Sequence, residues 1–249
     1  MAILLGGGLL IGVLLGLLGS GGTIATVPIL VYLLGQNEKV AIAGSLAIVG
    51  GIALAGALRY WRRGLVHWRS VFFFGVPGMA GAYLGAYLSR FFSASMQMGA
   101  FALVMLVAAW FMLRPSPEAP APDARANWKI IIEGLVVGVV TGLVGVGGGF
   151  LIVPALVLLG GLRPHIAIGT SLMIIALKSG AALAKYVGVL AELGLNIDWT
   201  VVAIFIAAGT IGSFAGGALA QRLKQETLRR AFGYFVIVMG AVILFRTLS

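Results

Sequence analysis

Two glycine-rich motifs interrupt long apolar stretches: GSGG at 19–22, followed by Thr23, and GVGGG at 145–149, with Pro28 and Pro154 within the next two turns. Clustered glycines weaken a helix and proline removes a backbone donor, so each motif is expected to split one helix into two halves. The N-terminus of a half-helix offers unpaired N–H groups and the positive end of a dipole, which together suit a bound anion. Bare backbone at Gly21, Gly22, Gly147, Gly148 and Gly149 lets an oxyanion approach closely, and Ser20 and Thr23 can add hydroxyl donors. The competing reading is that these glycines serve only a turn or close helix packing. Ser45, Thr170 and Ser171 open the next apolar segment of each half and can face the breaks; otherwise their hydroxyls return a bond to the preceding turn. Lys178 lies near the middle of an apolar segment, where an ammonium is costly and usually faces a bundle interior or a wet path. Attraction of an anion is its simplest role. Snorkelling, or a structural pair with Glu133, is the alternative.

Other chemistry finds little support. The chain has no Cys, no HExxH, no P-loop and no cluster of metal-ligand types, so no enzyme and no cofactor are expected. His67 and His165 stand near segment ends, which favours an interfacial place over proton coupling. Trp61, Trp68, Trp110, Trp128 and Trp199 sit near ends as well and read as an aromatic belt. Gly8, Gly12 and Gly16, Gly81 and Gly85, and Gly212 and Gly216 keep the four-residue spacing of small packing faces.

The elements that must position these residues are membrane helices. Of 249 residues 61% are hydrophobic and only 10% charged, against roughly one-quarter charged in a soluble domain, and mean hydropathy is +1.10. The net charge of +10 resides in short connections between apolar stretches, which is topogenic and argues against a nucleic-acid surface. The first twenty residues lack a basic n-region and an A-x-A site, so they are expected to remain in the mature protein.

Set against itself with an offset of 126 residues, the chain aligns GVLLGLLGSGGTIATVPILVYLLG at 12–35 with GVVTGLVGVGGGFLIVPALVLLGG at 138–161. Pro28 meets Pro154, Ser45 meets Ser171 and Tyr60 meets Tyr186; five residues further on in offset, Trp68 meets Trp199, Gly81 meets Gly212 and Gly85 meets Gly216. The chain thus divides into a first repeat at 1–114, a Pro-rich linker at 115–128 and a second repeat at 129–249, which together make one transport domain. Apolar segments fall at 3–35, 40–58, 70–88 and 96–113, then at 130–160, 166–185, 200–219 and 231–245.

The first segment of each half is too long for one straight crossing of a ~30 Å core. If every segment crosses, eight spans result and the basic residues divide almost evenly. If the first segment of each half re-enters instead, Arg59, Arg62, Arg63, Arg69, Arg114, Arg125, Lys129, Arg163, Arg222, Lys224, Arg229 and Arg230 share one side. Only Lys39, Arg90, Lys185 and Arg246 face them. That asymmetry favours an all-α polytopic membrane protein of two inverted repeats, each a re-entrant broken helix plus three transmembrane helices, with both termini outside the cytoplasm.

The motif pairs GLLGSGGTIATVPILVYL with VAIAGSLAIV and GLVGVGGGFLIVPALVLL with IAIGTSLMII resemble the TauE/SafE sulfite exporter family over essentially the whole chain. The resemblance implies a multi-pass permease of the bacterial inner membrane that exports sulfite, organosulfonates or related small anions. Thr23 stands where the second motif has Gly149, so the two loops need not bind alike. Its partners would be the lipid bilayer and a small anionic solute. A channel-like anion pore and a non-transporting structural subunit are the rival readings.

Overall fold

In hydrocarbon, backbone polar groups must be satisfied within the segment, and helix is the form that does this without leaving an edge. The structure is a computed structural model that describes residues 2–18, 22–113, 127–144, 152–153, 156, 162, 164–220 and 225–248. Every regular element among them is helical. In chain order they are α1 (Ala2–Leu18), α2 (Gly22–Pro28), α3 (Glu38–Arg62), α4 (Trp68–Ser70), α5 (Val76–Leu88), α6 (Ala94–Leu113), α7 (Asn127–Val144), α8 (Pro164–Glu192), α9 (Trp199–Ala220) and α10 (Gln225–Leu248). Among the described residues five helical stretches are long and apolar enough to cross a membrane: Glu38–Arg62, Trp68–Phe91, Asn127–Val144, Ile166–Glu192 and Trp199–Leu219. Shorter apolar helices run over Leu4–Leu17, Ile24–Leu33, Ala94–Val107 and Gly233–Phe245.

Local chemistry explains the irregular turns. Pro28 has no N–H, and the helix loosens after it into a π turn over Ile29–Leu33, where Leu34 N–H reaches Ile29 O. The π turn Val71–Gly75 joins α4 to α5 just ahead of Pro77, and Val76 N–H serves the carbonyls of Val71 and Phe72. Asn37 caps α3 by accepting from Lys39 N–H, and Asp198 caps α9 by accepting from Thr200 and Val201. Gly64 and Gly194, at φ +69° and +66°, close α3 and α8 with the same set of bonds: Leu65 to Tyr60 O, and Leu195 to Leu190 O.

Bonds recur elsewhere at the offset found in the sequence. Gln36 N–H reaches Leu30 O and Leu162 N–H reaches Leu156 O; Ser45 Oγ donates to Ile42 O and Ser171 Oγ to Ile168 O. Several boundaries differ from the sequence reading, two of them with a visible cause. Asn127 and Trp128 belong to α7 rather than to the linker, with Arg69 donating to Asn127 Oδ1, and α8 continues past 185 until Gly194 can turn the chain.

The closest packing is backbone on backbone. A methyl group added at Gly12 would collide with Gly209 O, at Gly16 with Ser213 O, at Gly212 with Leu9 O and at Gly216 with Val13 O. The second such seam repeats the design: Gly138 meets Gly78 O, Gly142 meets Ala82 O, Gly81 meets Leu135 O and Gly85 meets Val139 O. Rising residue numbers match rising numbers, so α1 runs parallel to α9, and α5 runs parallel to α7. Between these pairs lie α3 and α8, which are antiparallel: Gly50 faces Ser179, Gly56 faces Leu172 and Gly169 faces Tyr60. Gly51 faces Ile206 and Gly56 the Ser213 hydroxyl, so α3 runs with α9, while Gly75 against Ile174 and Gly78 against Lys178 align α5 with α8. Gly233 against Leu113 and Gly240 against Leu106 make α6 and α10 antiparallel.

These seams predict a sharp contrast among glycines. Gly12→Ala and Gly138→Ala should each lower stability by about 1–3 kcal/mol, as overpacking does, and depress the thermal midpoint in detergent. Gly180→Ala, with open space around it, should leave the midpoint unchanged or raise it.

Candidate solute site

Lys178 is 1% exposed, and among the described residues its ammonium has no hydrogen-bond partner. It is near the middle of α8. Its stem runs past the bare backbone of α5, with Cδ 3.0 Å from where a methyl at Gly78 would stand, and Gly134 O of α7 lies 3.3 Å from that same point. The Phe74 ring is centred 6.0 Å from Nζ, near the limit of a cation–π contact. Glu133 is not its hydrogen-bonding partner. Beside it, Ser179 Oγ is also buried without a partner among the described residues.

The position has a counterpart. Ile52 precedes Lys178 by the repeat offset, and its side chain lies against Gly209 as the lysine stem lies against Gly78. Lysine therefore fills an isoleucine-shaped slot and adds a charge at its end. Isolated charge in such surroundings is expensive and calls for an anion or water to meet it.

Depths along the bundle follow from the helix contacts. The Gly50–Ser179 contact marks the level of Lys178. Leu30 touches the Gly44 position, and the chain must return between the parallel α1 and α3, so α2 descends alongside α3. Its first residue, Gly22, then stands about 12 Å from the level of Gly44, close to that of Gly50 and Lys178. Thr23 follows it in α2. Ser20, Gly21, Gly147, Gly148 and Gly149 lie outside the described residues, as does Pro154. Helix α1 closes at Leu18 and α7 at Val144, on the near side of each motif.

The hydroxyls do not gather at one point. Ser45 and Ser171 lie on opposite sides of the Lys178 level, about 20 Å apart along the helix axes at 1.5 Å per residue, so one small solute cannot touch both. Their hydroxyl protons go to the carbonyls three residues earlier. Thr170 Oγ1 accepts from His67 N–H and ties the α3–α4 connection to α8. His67 itself caps α4, with Nδ1 2.9 Å from Ser70 Oγ.

Two further polar groups were not singled out by sequence reasoning. Gln97 Nε2 donates to Leu143 O at 2.7 Å, and Tyr186 OH donates to the same carbonyl at 2.9 Å. They serve the last turn of α7, just ahead of GVGGG. Gln97 Oε1 is buried without a partner among the described residues. A lone glutamine in an otherwise apolar helix was the available signal. Lys39 is the second buried lysine: it donates to Ser89 O at 2.7 Å and Phe92 O at 2.8 Å, carbonyls at the end of the α5 stretch that favour a cation.

A bundle of long apolar helices that encloses a lysine and the neighbouring Ser179 near the middle of α8 is the build of a polytopic membrane transporter. The chain belongs to the family described as Sulfite exporter TauE/SafE, whose model matches residues 4–243. It is 32% identical over 255 residues to a Xylella fastidiosa protein named "Probable membrane transporter protein", covering 99% of this chain and 96% of that one. It is 25% identical over 265 residues to the Bacillus subtilis "Probable membrane transporter protein YunE", covering 96% and 95%. A Methanocaldococcus jannaschii protein, likewise named as a membrane transporter, is 24% identical over 95% of this chain and 92% of its own length.

The node at Leu143 gives the next expectation. Gln97→Leu combined with Tyr186→Phe should strip that carbonyl of both donors and cost about 1–3 kcal/mol, read as a lower thermal midpoint. Tyr186→Phe alone, which keeps the Gln97 bond, should cost about 1 kcal/mol.

Proposed function

We propose that this chain is an inner-membrane permease that exports small anions, sulfite or small organosulfonates, and that Lys178 is the charge that attracts them. The observation that carries the reading is the lysine itself: enclosed at mid-depth, unpartnered among the described residues, and set against bare backbone at Gly78. A positive charge without a competing carboxylate is what a binding site for a mobile anion needs. The glycine-rich segments at Ser20, Gly21, Gly22 and Thr23, and at Gly147, Gly148 and Gly149, would offer backbone N–H groups to the same solute. Ser45 would stand toward one end of the path, and Thr170 and Ser171 toward the other.

The architecture in this reading is a pair of inverted repeats, 1–114 and 129–249. Support comes from the helix directions: each of α1, α3, α5 and α6 is oriented against its counterpart α7, α8, α9 and α10. The first helix of each half lies along the third helix of the other half. Because α1 and α3 are parallel, the intervening chain has to return, as a re-entrant segment would. Arg59, Arg62, Arg69 and Lys129 then share one end of the bundle, opposite Lys39, Arg90 and Lys185, which supports cytoplasmic placement of the first group and extracytoplasmic termini. Rocking of the two halves about the shared α3–α8 contact would expose the lysine to each side in turn.

The test is flux in proteoliposomes. Wild-type protein should release trapped sulfite or methanesulfonate with saturable kinetics, and Lys178→Met should weaken apparent affinity about tenfold or more, the worth of a charged hydrogen bond in a dry site. Normal flux and affinity in Lys178→Met would remove the lysine from the mechanism.

A further inference from the structure

Seven residues beyond Lys178 on α8 stands Lys185, and seven residues is two turns, so both side chains leave the same face of the helix about 10 Å apart. The parallel α5 supplies an aromatic partner at each level. Lys178 has Phe74; the Lys185 ammonium lies 4.9 Å from the centre of the Tyr87 ring and 5.9 Å from that of Tyr83. A third cation completes the series, because the Arg90 guanidinium is 4.2 Å from the centre of the same Tyr87 ring and 4.6 Å from that of Phe91. Arg90 also donates to Tyr87 OH at 2.6 Å. Among the described residues no carboxylate pairs with Lys185 or Arg90; the nearest acid along this face of α8, Glu192, is a further two turns out and exposed.

Cations held on ring faces are held weakly, and an arriving anion displaces them at little cost. Had each been locked to an aspartate or glutamate, an anion would have to compete with a fixed charge of its own sign. Few basic residues face this end of the bundle, yet two of them converge on one tyrosine beside α8. Snorkelling would explain one such lysine but not the meeting of Lys185 with Arg90 over a single ring. The counterpart of Lys185, Arg59, likewise rests over the ring of Phe214 at 5.3 Å, at the opposite end.

We propose that Lys185 and Arg90 form a second anion site, an outer station two helical turns from Lys178 along the α5–α8 seam, through which the sulfite or sulfonate passes between Lys178 and the medium. This rests on the permease reading above. Site-to-site passage requires each station to bind strongly enough to receive the ion and weakly enough to pass it on, and ring-parked cations meet both conditions.

Flux of sulfite at sub-saturating concentration decides between outcomes. Lys185→Gln with Arg90→Gln should reduce flux about tenfold and flatten its dependence on ionic strength, as loss of local steering charge does. Lys185→Arg should stay within about twofold of wild type. Because the chain has no native Cys, the Lys185→Cys variant carries a single thiol that can be labelled alone: an anionic methanethiosulfonate should react faster than a cationic one, and methanesulfonate should slow it about threefold or more, while Leu193→Cys should show no such protection. Double-variant flux within about twofold of wild type, or labelling of the Lys185→Cys variant indifferent to methanesulfonate, would overturn the outer station and leave Lys178 standing. Wild-type protein that moves neither anion would overturn the permease reading, and the station with it.

Discussion

Lipid tails are as apolar as leucine, so helices in a bilayer gain little from hydrophobic burial and must hold together by close contact. In this protein the contact is carried to its limit along two seams, α1 on α9 and α5 on α7, where helix backbones touch at glycine after glycine with no side chain between them. Such an approach satisfies no new hydrogen-bond donor, but it maximises dispersion and admits weak Cα–H···O contacts. It also fixes register, since a shift by one residue would press a side chain into a carbonyl. The remaining helices take their places from these two rods: α3 joins the first, α8 joins the second, and the antiparallel α3–α8 contact ties them together.

The same seams determine where polar groups can exist. Lys178 reaches its enclosed position because Gly78 leaves room for its stem, as Gly209 leaves room for Ile52 in the other half. Packing symmetry is thus kept while charge symmetry is broken. In the proposed permease, that difference would let one half hold the solute's charge and the other supply a neutral wall. The other buried lysine, Lys39, shows the contrast: its ammonium is answered by two helix-end carbonyls, Ser89 O and Phe92 O, and so fastens α3 to the α5–α6 connection. One lysine is a structural clasp and the other has its charge unanswered among the described residues.

Helix ends obey the same accounting of polar groups. Pro28 and Pro77 each lack a donor, and a π turn stands beside each of them. At the last turn of α7, Gln97 and Tyr186 both donate to Leu143 O. These side chains come from α6 and α8, so the end of α7 is positioned by tertiary contacts as well as by its own sequence. Ser45 and Ser171 spend their protons on local carbonyls, which braces the two middle helices in matching fashion.

Much of this was legible in the residues alone. Apolar length and composition determine that the chain spans a membrane, because no other solvent tolerates such segments, and the paired Gly, Pro, Ser and Tyr positions disclose the duplication and the family. Four-residue glycine spacing marks the packing faces, and a lysine amid apolar residues marks the point of interest. What the sequence could not reveal is which face meets which. Gly12 finds its partner in the third helix of the other half, far along the chain at Gly209, and nothing local to either segment encodes that choice. Proximity in the chain likewise suggested that Ser45, Thr170 and Ser171 converge, whereas the antiparallel course of α3 and α8 sets Ser45 far from the other two. The meeting of Lys185 and Arg90 at one tyrosine, and the absence of a hydrogen bond between Glu133 and Lys178, were likewise decided by packing, because partners for a charge are a property of three-dimensional distance and not of residue type.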